Sequence, residues 1–159
     1  MVVLAAFACE RSPTSVPQRL TSTGPFISPS SEGSLLSCPT LPYDSVTQVI
    51  GPAGGSISVG PHRLLIPPGA VYKDEVSITA VLPMGAGVST VDLRPSGYRF
   101  KTPVYLSMSY ATCQESPLSK QVAYTVGGKV VEKRPSVDDA QSQTVTGQLD
   151  HFSNYAVAW

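Results

Sequence analysis

The sequence has few charged residues and no surplus of either sign. Charged side chains make up 14% of the chain, against roughly 25% in an ordinary globular protein, and eleven basic residues balance eleven acidic ones. A basic surface for nucleic acid is therefore excluded, and we expect no nucleic-acid partner. The chain also lacks an apolar run of about 18 residues, which excludes a transmembrane helix.

Helical patterns and metal-binding patterns are also missing. Thirteen glycines and fifteen prolines interrupt the sequence, and no stretch has the apolar spacing of an amphipathic helix. The two histidines, His62 and His151, have no metal-ligating neighbour at a useful spacing. At 159 residues we expect at most one folded domain, with no metal and no cofactor.

The first nine residues resemble a bacterial lipoprotein signal. A short apolar run ends in Ala-Phe-Ala directly before Cys9, as in the lipobox at which a precursor is cut before its lipidated cysteine. The basic residues that usually precede such a run are missing, so a chance apolar stub is the alternative. We predict a signal remnant at residues 1–9, a lipid on Cys9 that binds the membrane, and a location at the cell envelope facing the periplasm or exterior.

Residues 10–45 are dominated by Ser, Thr, Pro and Gly. This composition buries too little apolar surface to offset the entropy of ordering, so we predict a disordered linker that tethers the folded domain. With Cys9 lipidated, Cys38 and Cys113 remain as a pair in a compartment that permits disulfides. A bridge would close a loop of about 75 residues and stabilise the fold by about 4 kcal/mol in the chain-entropy model; two unpaired thiols are the alternative.

Residues 46–159 show the apolar period of two that is typical of strands. In the run 104–110, Val104, Leu106 and Met108 share one face, and Tyr105 and Ser107 lie on the other. Similar short runs recur along the domain, separated by Gly and Pro. The pattern predicts an all-β fold, a single antiparallel β-sandwich of about nine or ten strands.

Two turns have a readable mechanism. Gly69, after two prolines, predicts the positive φ of a type II turn. Gly127 and Gly128 predict a tight hairpin, because a type I′ turn needs positive φ at both central residues.

Three segments resemble a ZU-five domain, the β-rich module of zonula occludens scaffolds, uncoordinated-five netrin receptors and ankyrins. Gly-Pro-Ala-Gly-Gly at residues 51–55 is followed by Ile-Pro-Pro-Gly-Ala at 66–70, and His-Phe-Ser stands near the end, at 151–153. The resemblance covers most of residues 46–159, although residues 81–126 match only in strand rhythm. It implies a β-sandwich that binds other proteins.

In some relatives the His-Phe-Ser segment cuts its own backbone, and the resemblance implies a candidate mechanism here. The Ser153 hydroxyl would attack the Phe152 carbonyl, His151 would take the proton, and water would hydrolyse the ester, provided that the fold strains this peptide bond. The alternative is a structural corner with Phe152 in the core. Phe152 is out of phase with Val145 and Leu149, so a buried Phe152 requires a bulge or turn.

Other catalytic interpretations are disfavoured. Asp150 directly precedes His151, so in an extended strand the two side chains would lie on opposite faces, which argues against an Asp-His pair. The acidic pairs at 74–75 and 138–139 are predicted to be solvated turn residues. We therefore expect a protein that is not an enzyme.

The remaining hypothesis is a non-catalytic binding module on the cell envelope. An unknown protein partner is the first expectation. A second is a glycan, which would stack on a platform formed by Tyr98, Tyr105 and Tyr155; ordinary packing of these rings is the alternative.

Overall fold

The structure, a computed structural model, describes residues 33–159. Cys9, the predicted signal remnant and residues 10–32 of the predicted linker lie outside the described residues. The described part contains eleven strands and no helix, and so no helix that could cross a membrane. The strands are β1 (Asp44–Ile50), β2 (Gly55–Val59), β3 (His62–Ile66), β4 (Val76–Leu82), β5 (Thr90–Arg94), β6 (Arg99–Ser109), β7 (Gln121–Val126), β8 (Lys129–Lys133), β9 (Ser136–Asp139), β10 (Thr144–His151) and β11 (Asn154–Ala158).

The strands form two antiparallel sheets, which confirms the predicted all-β antiparallel fold. The six-stranded sheet has the order β1-β4-β5-β11-β7-β8, and the five-stranded sheet has the order β2-β3-β6-β10-β9. One cluster of buried apolar side chains draws on both sheets, as expected for a β-sandwich. The count exceeds the predicted nine or ten because β1 has one buried residue and β9 has none, so neither strand shows the apolar period of two.

The period-two pattern correctly identified the inward faces. Val104, Leu106 and Met108 of β6 are buried, and the intervening Tyr105 and Ser107 are half-buried. The central strand β11 departs from alternation, because all four residues from Tyr155 to Ala158 are buried. A strand that is covered on both faces has a continuous apolar sequence, as β11 has here.

The predicted turns are confirmed in their φ angles. Gly69 has φ 76°, and Gly127 and Gly128 have φ 57° and 76°. The Ala70 amide also donates to the Pro67 carbonyl at 3.2 Å, which closes the predicted turn. Between Leu149 and His151 the pairing of β10 with β6 shifts register, and this irregularity is the one that burial of Phe152 required.

Ordered chain begins earlier than the predicted domain start at residue 46. Residues 33–43, which we call the strap, precede β1 and lie against the end of β11. The Leu36 amide donates to the Val157 carbonyl at 2.9 Å, the Trp159 amide donates to the Ser34 carbonyl at 3.1 Å, and the Leu36 side chain is buried in the core. Polar composition predicted disorder here, but backbone pairing and one apolar anchor order the strap.

Candidate functional site

The segment His151-Phe152-Ser153 forms a buried corner between β10 and β11. Phe152 is fully buried, and its ring packs edge-on against Phe100 with centroids 4.7 Å apart. The Phe152 amide donates to the Tyr98 carbonyl, and the Phe152 carbonyl accepts from the Gly97 amide, both at 2.8 Å. Phe152 therefore joins the corner to the residues that lead into β6.

His151 and Asp150 contact each other, contrary to the expectation that their side chains lie on opposite faces. His151 Nδ1 lies 2.8 Å from Asp150 Oδ1, because the register shift in β10 interrupts the regular alternation. Arg134 also contacts this carboxylate. Its guanidinium lies 3.0 Å from the same Asp150 oxygen and 2.6 Å from a carboxylate oxygen of Glu132. Burial alone would raise the pKa of Asp150, but the His151 hydrogen bond and the Arg134 charge hold this pKa below its usual value.

The geometry around Ser153 is that of a corner rather than an assembled nucleophile and base. The His151 ring is engaged by Asp150 and packs edge-on against Tyr124 at 5.3 Å. Among residues 33–159 no hydrogen bond joins this ring to the Ser153 hydroxyl. The Ser153 carbonyl accepts from the Leu93 amide at 3.0 Å. Within the described chain, Gln143 is the one non-glycine residue with positive φ, so backbone strain of this kind lies outside the corner.

The three tyrosines of the glycan hypothesis do not form a platform. Tyr155 is buried, and its hydroxyl donates to the His151 carbonyl at 2.7 Å; burial raises the pKa of this hydroxyl. The Tyr98 ring packs edge-on against Phe100 at 5.2 Å. Tyr105 lies on β6 in the five-stranded sheet. Packing therefore accounts for two of the three rings, and Tyr105 alone is left as a candidate for ligand contact.

Cys38 and Cys113 form a disulfide, as predicted from the cysteine count. The bridge joins the strap to the segment that follows β6. Two backbone hydrogen bonds flank it: the Cys38 amide donates to the Gly87 carbonyl at 2.9 Å, and the Gln114 amide donates to the Ser37 carbonyl at 2.8 Å. The predicted linker is therefore fixed to the domain at its end.

Asp138 and Asp139 are the last two residues of β9. Asp138 is half-buried, contrary to the prediction of a solvated turn residue, whereas Asp139 is exposed at the start of a turn, as predicted. Asp138 accepts hydrogen bonds from the Tyr110 hydroxyl at 2.7 Å and from the Lys120 amide at 2.8 Å. Asp139 accepts from the Ser142 hydroxyl at 2.7 Å at the following turn. The first aspartate thus joins three segments, and the second caps a turn. Within the described residues no three His, Cys, Asp or Glu side chains are grouped so as to hold a metal.

Sequence reasoning missed the strand β1, which forms one edge of the six-stranded sheet. β1 pairs with β4 over seven consecutive residues without a register shift, and among the described residues it has no partner on its other side. After Asp44 it contains no charged residue and no proline. Val49 on this strand is 59% exposed.

The other three edges have the protection that natural sheets commonly use. β8 carries Lys129, Glu132 and Lys133 and pairs with a register shift. β9 has four residues, two of them aspartates. β2 has five residues, and the guanidinium of Arg63 reaches across it to the Ser56 hydroxyl at 3.3 Å. Within residues 33–159, β1 is therefore the longest edge strand, and after Asp44 it carries no charge.

Comparison of the sequence with known protein families and with curated proteins gives no match. The assignment of a function therefore depends on the residues and geometry of the chain itself.

Proposed function

We propose that the protein is a non-catalytic protein-interaction module, displayed on the cell envelope by a lipid on Cys9. Its binding site is the free edge of β1, which pairs with an extended segment of a partner protein by strand addition. The observation that carries the proposal is the contrast between β1 and the three protected edges. Main-chain hydrogen bonds along a free edge supply affinity in this mode of recognition, and pockets for alternate side chains supply specificity.

The envelope location is supported by two features of the chain. The Cys38–Cys113 bridge is typical of an oxidising compartment. The Ala-Phe-Ala-Cys sequence at residues 6–9 is the resemblance to a lipobox described above. We also propose that the domain is ZU-five-like, because residues 51–55, 66–70 and 151–153 resemble segments of that family. Such a domain would be consistent with a binding role.

Substitution of one exposed valine tests the docking edge. Val49→Lys places a charge beside the β1 edge, and Val131→Lys does the same on β8; the two valines are 59% and 56% exposed. After chemical cross-linking in membranes of the native host, we expect Val49→Lys to lower the yield of the partner adduct at least fivefold and Val131→Lys to leave it unchanged. Equal yields from both variants would overturn docking at β1, and an adduct with a second copy of this chain would overturn a foreign partner.

A glycan ligand is the second candidate function. A groove of about 640 Å³ lies on the five-stranded sheet. Its walls combine one aromatic ring and apolar carbons with hydroxyl, amide and carboxylate groups, which are suited to the two faces of a sugar ring; they include Tyr105, Val137, Asp139, Thr146 and Gln148. Tyr105→Ala should abolish retention on a glycan array, whereas Tyr72→Ala, which removes an exposed ring elsewhere, should not. Absence of retention by the native chain would exclude this candidate.

A further inference from the structure

One pocket lies where β1 begins and β6 ends. It has a volume of about 480 Å³, within the range of about 300–1,000 Å³ of small-molecule sites. The strap forms one wall, the turn between β2 and β3 forms the second, and the segment after β6 forms the third. The lining residues that matter here are Leu41, Tyr43, Asp44, Pro61, Leu82 and Ala111.

The polar groups at the floor of this pocket are already satisfied within the protein. Ser89 and Ser109 line the pocket. His62 does not line it but is buried next to these two residues, and its Nδ1 accepts a hydrogen bond from the Ser109 amide at 3.2 Å. The ring proton is therefore on Nε2, which faces the Ser89 hydroxyl at 3.5 Å. That hydroxyl donates to the Ser109 carbonyl at 3.3 Å. Burial lowers the pKa of His62 to about 4, so the ring adjoining this floor is uncharged at neutral pH, and the floor itself presents the neutral Ser89 and Ser109.

The carboxylate on the wall is likewise engaged by the backbone. Asp44 accepts from the Gly60 amide at 2.7 Å and from the Ser45 amide at 2.8 Å, one hydrogen bond to each oxygen. No lysine or arginine is among the residues that line the pocket. An anionic ligand would meet a negative charge without a compensating cation, and a cationic ligand would have to compete with two backbone amides.

The walls are held in place before any ligand binds. The Cys38–Cys113 disulfide forms part of the lining, and the Cys113 amide donates to the Tyr110 carbonyl at 2.9 Å. A preformed site avoids the entropy of ordering loops on binding. Tyr43 lines the pocket with its side chain 59% exposed, and a ligand would cover part of that apolar surface.

We propose that this pocket binds an uncharged, largely apolar small molecule. Apolar walls supply the affinity, and the saturated polar floor and the Asp44 carboxylate select against charged ligands. The site does not depend on docking at β1, because among its lining residues β1 contributes only Asp44, the first residue of the strand. Its walls are formed mainly by the strap and two loops.

A neutral fluorescent probe, N-phenyl-1-naphthylamine, tests the proposal with the full chain. Its fluorescence should rise and saturate at one probe per chain. Ala111→Phe fills the pocket from an exposed position on its wall, and we expect at least tenfold weaker binding. Ala53→Phe is the matched control, since Ala53 is an exposed turn residue at the far end of β1 and should leave the affinity unchanged.

Amide chemical shifts locate the bound probe. In the native chain the probe should shift the amides of Gly60, Ser89 and Thr112, all lining residues. If Ala111→Phe does not fold, Thr112→Trp fills the same wall, and the same tenfold loss is expected. Equal affinity of the filled variant and the native chain, or shifts confined to residues 46–50, would overturn the proposal.

Discussion

Gly147 shows how one missing side chain permits the two sheets to approach. It lies in β10 facing the core, where an added Cβ would stand 2.5 Å from the Cβ of Val122 on β7. Carbon atoms that are not bonded to each other do not approach so closely, so the neighbouring strand would have to move.

Gly147→Ala should therefore destabilise the protein. Overpacking of this kind costs about 1–3 kcal/mol, measured as a lower urea midpoint of unfolding. Ser58→Ala, on the exposed face of β2, should change the midpoint little. Equal midpoints for the two variants would show that the strands accommodate the methyl group.

His62 makes stability depend on pH. Burial lowers the pKa of this histidine from 6.5 to about 4, so the unfolded chain takes up a proton below pH 6.5 and the folded chain does so only near pH 4. The unfolded state therefore binds more protons throughout that window, and the free energy of unfolding falls as the pH falls. A shift of this size corresponds to about 3 kcal/mol.

Urea titrations between pH 7 and pH 4.5 measure this dependence. The variant His62→Asn keeps an acceptor for the Ser109 amide and cannot be protonated there. Its free energy of unfolding should decline less with falling pH than that of the native chain. Parallel declines would assign the acid sensitivity to other groups.

The strap is the element whose order depends most on covalent chemistry. In the chain-entropy model a bridge across a loop of about 75 residues contributes about 4 kcal/mol. The double variant Cys38→Ser/Cys113→Ser should lose up to this amount, and the Leu36 amide, which donates to Val157, should exchange with solvent faster than core amides of β6. Cys9→Ser leaves the bridge intact and serves as the control. Unchanged exchange at Leu36 in the double variant would show that backbone pairing alone holds the strap.

The strands that alternate strongly could be predicted from the sequence, and the edge strands β1 and β9 could not. In β6 and β4, burial of every second side chain leaves a clear apolar period. In β1, Ile50 is the only buried residue, and in β9 none is. β1 and β9 are ordered mainly by backbone hydrogen bonds to their neighbours, and these leave little trace in side-chain polarity.

The candidate sites also combine features that the sequence predicts with features that it does not. The irregular segment before Phe152 could be inferred from phase alone, because one residue stood out of register. The Asp150–His151 contact could not, since ideal alternation excludes it and only the register shift permits it. The pocket near His62 combines residues of the strap, two loops and β4, which no local pattern relates.

Lipidation at Cys9 and self-cleavage after Phe152 would each change the mass of the whole molecule. The intact mass of the chain from native membranes, with and without reductant, should correspond to a chain that begins at Cys9 with added acyl groups and gains two hydrogens on reduction. A chain beginning at Met1 without modification would contradict lipidation. No fragment ending at Phe152 is expected; such a fragment, absent from Ser153→Ala, would establish self-cleavage.

Site-specific photo-cross-linking tests directly whether β1 binds an extended segment of a partner protein. A benzophenone amino acid is placed at Val49 on β1 or at Val131 on β8, and the cross-linked peptides are mapped after irradiation of native membranes. If β1 is the docking edge, Val49 should give adducts with a single segment of one envelope protein, and Val131 should give none. Adducts from Val131 in equal yield, or no adduct from Val49, would contradict docking at β1.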